Sequence, residues 1–123
     1  MYSLLFLFLF SLTEATPIDF CFNTGYNGYF ISYAPVDFSL AHIVCADQGG
    51  TLVKATERNL VYIKDLILDC IGENQSGWIS AWNTGIESEK CLQLRAGFDE
   101  QVVNMNCKHV NHAICYSNQP YYY

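Results

Sequence analysis

Two stretches of this chain repeat apolar residues at helical spacing, and most of the chain after the second of them comes in short, strand-length apolar pieces. In the first stretch Ala41, Val44, Cys45 and Gln48 share one face. Ser39 can cap that helix and Gly49-Gly50 stops it. In the second, Thr56 is the expected cap, with Glu57 and Arg58 in the first turn. Leu60, Ile63, Ile67 and Cys70 form its apolar stripe, with Lys64, Asp65 and Asp69 outside, and Gly72 ends it. Ahead of the helices, Phe20 to Tyr33 is aromatic and broken by Gly25 and Gly28. Asn27-Gly28 signals a turn, Tyr29 to Tyr33 reads as a strand, and Pro35 is expected to end it. Thr51-Leu52-Val53 is a short strand between the helices.

The second half has no helical period. Trp78 to Trp82, Cys91 to Leu94, Gln101 to Met105 and His112 to Tyr116 are strand candidates. Asn83 to Lys90 and Arg95 to Glu100 are turns or loops. Two helices and then a run of strands predict an α+β fold. Its centre is Gly77-Trp78-Ile79-Ser80-Ala81-Trp82, a heavily apolar strand whose aromatic and β-branched residues suit a packed, pleated surface.

Composition narrows the class. At 123 residues, one domain is the default. Leu4 to Phe10 is an unbroken Leu/Phe run, with Thr13 and Ala15 beyond it at the −3 and −1 positions of a cleavage site. The expectation is a signal peptide over 1–15, a lead over 16–20, a domain over 21–116 and a loosely held tail over 117–123. Six cysteines behind a signal peptide imply three disulfides, and the count alone allows fifteen pairings. With 12 Asp and Glu against 6 Lys and Arg and no basic patch, nucleic acid is a poor partner. No membrane span is expected in the mature chain, because the apolar run is too short to cross a bilayer.

This pattern resembles a C-type lectin-like domain. Phe38, Ala41 and Cys45 match the first helix of that family, and Gly49, Gly50 and Leu52 match its Gly-Gly-x-Leu turn. Trp78-Ile79-Ser80-Ala81 stands where the family has a Trp-Ile-Gly-Leu core strand. Cys91-Leu92-Gln93-Leu94 matches the strand after the long loop, and Cys107 with Ile114-Cys115 matches the closing pair. The resemblance spans about Cys21 to Tyr116. It implies two helices packed on small antiparallel sheets, with Cys45 joined to Cys115 and Cys91 to Cys107. Cys21 and Cys70 are expected to join each other, a pair for which the family supplies no rule.

The same resemblance implies a ligand site that this chain carries in altered form. Such domains hold calcium through a Glu-Pro-Asn or Gln-Pro-Asp motif in the long loop and a Trp-Asn-Asp motif before the penultimate cysteine. Here the loop is only Asn83-Thr84-Gly85-Ile86-Glu87-Ser88-Glu89-Lys90, and neither Pro-containing motif is present. Val103-Asn104-Met105 stands at the Trp-Asn-Asp position, and a thioether is no ligand for calcium. Asn83, Glu87, Glu89 and Asn104 are the oxygen donors left, fewer than calcium readily accepts. The expectation is therefore no metal and no other cofactor, with Trp82, Asn83, Glu87, Glu89 and Asn104 as the candidate ligand surface. Trp82 is better explained by core packing than by stacking on a ligand, since Trp is highly buried on average.

Other chemistry fits less well. Cys107-x-His109 with His112-x-x-Cys115 has a zinc-like density of ligands, but zinc needs thiolates and a secretory framework oxidises them. Ser, His and Asp occur without a Gly-x-Ser-x-Gly elbow, and the Asp99-Glu100 carboxylates are neighbours in a turn. No enzyme is expected. Asn74-Gln75-Ser76 is an acceptor sequon, so Asn74 is an expected glycosylation site. Two readings of function stay open: carbohydrate recognition without the standard calcium-dependent site, and recognition of an extracellular protein on the same scaffold. A purely structural extracellular component is a third.

Overall fold

The computed structural model describes residues 18–22, 28–97 and 101–118. The expected signal peptide, the first two residues of the lead, Asn27, Asp99-Glu100 and the last five residues of the tail lie outside them. The elements run β1 (Phe20–Phe22), β2 (Tyr29–Val36), α1 (Phe38–Asp47), β3 (Thr51–Leu52), β4 (Lys54–Ala55) and α2 (Leu60–Cys70). Then come β5 (Ser76–Ile79), β6 (Ala81–Trp82), β7 (Leu92–Arg95), β8 (Val102–Asn104) and β9 (Asn111–Tyr116).

The helices form where the pattern places them, but both begin at different residues. Asp37, not Ser39, caps α1. Its extended backbone lets the carboxylate accept the Leu40 N–H at 2.9 Å. At the other end Gly49 N–H reaches the Ala46 carbonyl and Gly50 N–H the Cys45 carbonyl. That is a Schellman closure, with Gly49 at a left-handed φ of 79°. Gly50 is needed for a second reason, since a Cβ there would stand 2.7 Å from the Tyr116 carbonyl oxygen.

Thr56 does not cap α2. Thr56 and Asn59 bond to each other, Thr56 N–H to Asn59 Oδ1 at 2.7 Å and Asn59 N–H to Thr56 Oγ1 at 3.3 Å, closing a turn ahead of the helix. Glu57 and Arg58 therefore precede α2 rather than fill its first turn. Its buried side is Ile63, Leu66 and Ile67, so Leu66 joins the predicted stripe while Leu60 and Cys70 sit at its half-buried margins.

One large sheet runs in the order β1-β2-β9-β5-β7-β8, with β3 also on β9. The last strand is thus near the middle. One edge of β9 pairs antiparallel with β2, and the other is divided: β5 takes His112 and Ala113, β3 takes Cys115 and Tyr116. The β5–β9 pairing is parallel, as is the separate β4–β6 pair, so the sheets are mixed where antiparallel sheets were expected. β2 runs on through Pro35 to Val36. Between Ile31 and Pro35 its register against β9 slips, and the Ser32 hydroxyl takes the Ala113 N–H at 2.8 Å in place of a backbone partner.

Successive residues of the central strands alternate between the two faces. Phe30, Trp78 and Ala113 pack on one side with Ala41, Val44 and Cys45 of α1. Ile31, Ile79 and Ile114 pack on the other with Ile63, Leu66 and Ile67 of α2. The core is therefore two apolar layers, each a helix against one face of the same sheet. Trp78 is buried with its one polar atom satisfied, Nε1–H donating to the Val36 carbonyl at 2.7 Å, and Phe38 meets it edge-on. Three disulfides staple the layers: Cys45–Cys115 joins α1 to β9, Cys21–Cys70 joins β1 to the end of α2, and Cys91–Cys107 spans the β7–β8 hairpin. These are the expected pairs.

Gly77 sets how closely β5 can lie against β9. A Cβ there would meet the Ile114 side chain at 2.5 Å and the His112 carbonyl oxygen at 2.9 Å. Gly77→Ala is expected to lower stability by about 1–3 kcal/mol through overpacking, read as a lower urea midpoint. Trp78→Ala, which empties the opposite layer, should cost more, about 3–5 kcal/mol.

Candidate functional site

After Ile79 the chain leaves the large sheet. Ser80 is buried, its N–H donates to the Val53 carbonyl at 2.7 Å, and its hydroxyl lies 3.0 and 3.1 Å from the Leu52 and Val53 carbonyls. A serine stands here where the resembled family has glycine, and its buried hydroxyl is satisfied by the Leu52 and Val53 carbonyls at the junction of β3 and β4. The turn at Ser80 puts β6 beside β4, with Trp82 opposite Ala55. Trp82 is half-buried and packs on the α2-side core, so much of its ring belongs to the interior and one part stays at the surface.

The loop beyond β6 is tied down at several points. Asn83 takes a left-handed φ of 60°, which Asn tolerates better than most residues. Its N–H donates to the Ala55 carbonyl, and its Oδ1 accepts the Glu57 N–H at 2.9 Å. Thr84 Oγ1 accepts from the Ile86 N–H at 3.1 Å, and Gly85 turns the chain at a φ of 73°. Ser88 N–H returns to the Ser80 carbonyl at 2.8 Å, and Ser88 Oγ accepts the Lys90 N–H. Cys91 then enters its disulfide, and its carbonyl accepts the Met105 N–H at 2.8 Å. Asn104 stands on β8 directly opposite Leu92.

The five predicted residues therefore fall into two groups. Asn83 is part of the scaffold: its amide oxygen is spent on the backbone ahead of α2. Glu87 and Glu89 flank the pinned Ser88 and are exposed, as is Asn104 at the far side of the Cys91 junction. Trp82 lies between these groups. Among the described residues no three His, Cys, Asp or Glu side chains stand together in an arrangement that could hold a metal ion. The pattern did not single out Ile86, whose side chain is 75% exposed at the loop tip between Gly85 and Glu87. An apolar residue amid Gly and acidic neighbours in a turn was the available signal.

The remaining reactive groups are also accounted for. All six cysteines are in disulfides, so neither a thiolate nucleophile nor a Cys-ligated zinc site can be assembled from Cys107 and Cys115. His112 Nδ1 lies 2.9 Å from the Ser32 carbonyl, which makes Nδ1 the protonated nitrogen. The Ser32 hydroxyl is buried and donates to the Ala34 carbonyl, so this neighbouring Ser and His do not form a nucleophile–base pair.

Helices on both faces of a sheet whose last strand is central, with these disulfides, define the C-type lectin-like fold. No family model matches the chain, and no curated protein matches it by sequence. Among solved structures it is similar to a Ca2+-dependent type II antifreeze protein in its Ca2+-free form, at 16% identity over 81% of this chain and 98% of that one, with a TM-score of 0.55. It is also similar to herring type II antifreeze protein, at 18% identity over 81% and 96% of the two chains, with a TM-score of 0.54. The carbohydrate-recognition domain of human scavenger receptor C-type lectin aligns at 19% identity over 85% of this chain and all of that one, with a TM-score of 0.55. At these identities the likeness is one of fold.

Asn83 offers a direct check on the scaffold. Asn83→Gly keeps the left-handed backbone and removes the bond to Glu57, with an expected loss of about 0.5–1.5 kcal/mol. Asn83→Ala adds the backbone penalty and should lose about 1 kcal/mol more in the same urea unfolding measurement.

Proposed function

We propose that this chain is a secreted binding domain that does not catalyse a reaction, and that it recognises its ligand without the standard calcium-dependent sugar site of the lectins it resembles. The observation that carries this is the fate of Asn83. The amide oxygen that Asn83 would offer a cation already accepts the Glu57 N–H, leaving Glu87, Glu89 and Asn104 of the candidate oxygen donors. Calcium takes six to eight oxygens, so this set is a poor cage for it. Three disulfides are compatible with an oxidising, extracellular setting, and among the described residues no helix is long and apolar enough to cross a membrane.

In a carbohydrate complex the sugar hydroxyls would donate to the Glu87 and Glu89 carboxylates and exchange hydrogen bonds with the Asn104 amide, with the surface part of Trp82 beside them. The second reading is a protein partner, and Ile86 favours it. An exposed apolar side chain flanked by acidic groups resembles the anchor and polar rim of a protein interface more than a sugar subsite.

Adding calcium to the disulfide-intact protein is expected to leave its melting curve unshifted at millimolar concentrations. A saturable rise in Tm would overturn the proposal. Ligand class is separated by binding measured in chelator. For a sugar from a glycan array, the paired change Glu87→Gln and Glu89→Gln should weaken binding by about tenfold or more, equivalent to about 1.4 kcal/mol. For a protein partner, Ile86→Asp should cause the larger loss. Binding that disappears on chelation counts against both readings.

A further inference from the structure

The sequence contains one acceptor sequon, Asn74-Gln75-Ser76, and the fold treats its three residues very differently. Asn74 is exposed in the turn between α2 and β5, at a left-handed φ of 58°. Gln75 is already tied to the sheet, its carbonyl accepting the Ala96 N–H at 3.0 Å. Ser76 is the first residue of β5, opposite Arg95, and its hydroxyl is closed into a ring of polar side chains. Ser76 Oγ donates to Asn111 Oδ1 at 2.7 Å, while Gln93 Nε2 donates to Ser76 Oγ at 2.9 Å and to Asn111 Oδ1 at 2.7 Å. Gln93 and Asn111 are both buried.

We propose that Asn74 carries an N-linked glycan, and that it is attached before β5 is locked between β7 and β9. This rests on the chain being secreted. The sequon is read through both the asparagine amide and the hydroxyl two residues on. In the folded chain the asparagine is exposed but the hydroxyl is engaged. The lock cannot close until Asn111, 35 residues beyond Ser76 on β9, has been made. Until then Ser76 is an ordinary exposed serine and the sequon is accessible.

In the transfer a bond forms between Asn74 Nδ2 and C1 of the first sugar of a polyisoprenyl-pyrophosphate oligosaccharide. The C1–O bond to the pyrophosphate breaks, the polyisoprenyl pyrophosphate leaves with that electron pair, and the amide nitrogen gives up one proton to a base on the transferase. Asn74 stands at the start of β5, whereas Trp82 and the loop that carries Glu87 and Glu89 lie beyond its other end. The glycan therefore covers the α2 end of the molecule and leaves the candidate ligand surface open.

The test has two parts. The full chain is expressed in a glycosylating eukaryotic host behind a supplied signal sequence, so that failure of its own leader does not confound the result. Secreted protein should lose the mass of one glycan on treatment with peptide N-glycosidase, and Asn74→Gln should be secreted, folded by circular dichroism, and unshifted. Secreted wild-type chain at its bare polypeptide mass overturns the proposal. In the second part, unmodified chain from bacteria is offered to oligosaccharyltransferase with a lipid-linked oligosaccharide donor. The reduced, unfolded chain should be modified at least tenfold more than the oxidised, folded one. Equal modification overturns the ordering of glycan before lock.

Discussion

The hydrogen-bonding of one strand holds this molecule together. β9 is the last strand made, yet it is paired along both edges, with β2 on one side and β5 and β3 sharing the other. Its faces are used as fully: Ala113 and Cys115 lie in the α1 layer, and Ile114 lies in the α2 layer. A strand buried on both faces and bonded on both edges cannot move without exposing unpaired backbone groups and apolar area together. The Cys45–Cys115 bridge then ties it covalently to α1. Because β9 follows them in the chain, the two helices and β5 have no finished sheet to pack on until β9 is made.

The end of the molecule that carries the candidate surface is built differently. There the chain departs from the sheet at Ser80 and returns at Cys91, held by the hydrogen bonds that Asn83 and Ser88 each donate and accept and closed by the Cys91–Cys107 bridge. A loop this short, anchored at so many points, presents a fixed surface rather than a mobile one. Its exposed groups, Ile86, Glu87 and Glu89, cost little to vary because none of them supports the fold. The candidate surface is thereby separated from the residues that stabilise the fold, the arrangement expected where one scaffold can serve unrelated ligands.

The two helices, the strand candidates and the three bridges were legible in the chain, though their boundaries were not. Asp37 rather than Ser39 caps α1 because capping depends on which side chain reaches the N3 amide, and the Asp37 carboxylate does so from just before the helix, whereas Ser39 already lies within it. α2 starts late because Asn59 and Thr56 satisfy each other, a local bond that competes with helix entry. Pro35 sits within β2 because the slip in register relieves it of any need to donate. The parallel pairing of β5 with β9 was not legible at all, since side-chain alternation is the same for either strand direction.

By itself the sequence determined the fold class and most of the buried stripe of each helix. Helical and two-residue periods decide which side chains must be hidden, and the cysteines bracket the Trp78 strand in a distinctive order. It also showed that the sugar-site motifs are altered, because those are statements about residue identity. Only the tertiary structure decided what the surviving residues do. Asn83, Ser76 and Ser80 are equally polar in the sequence, yet each is bonded to a group far along the chain, 26 to 35 residues away. Glu87, Glu89 and Asn104 are left to the solvent. Whether a polar side chain serves the fold or a ligand depends on which unpaired group lies opposite it, and long-range pairing places that group.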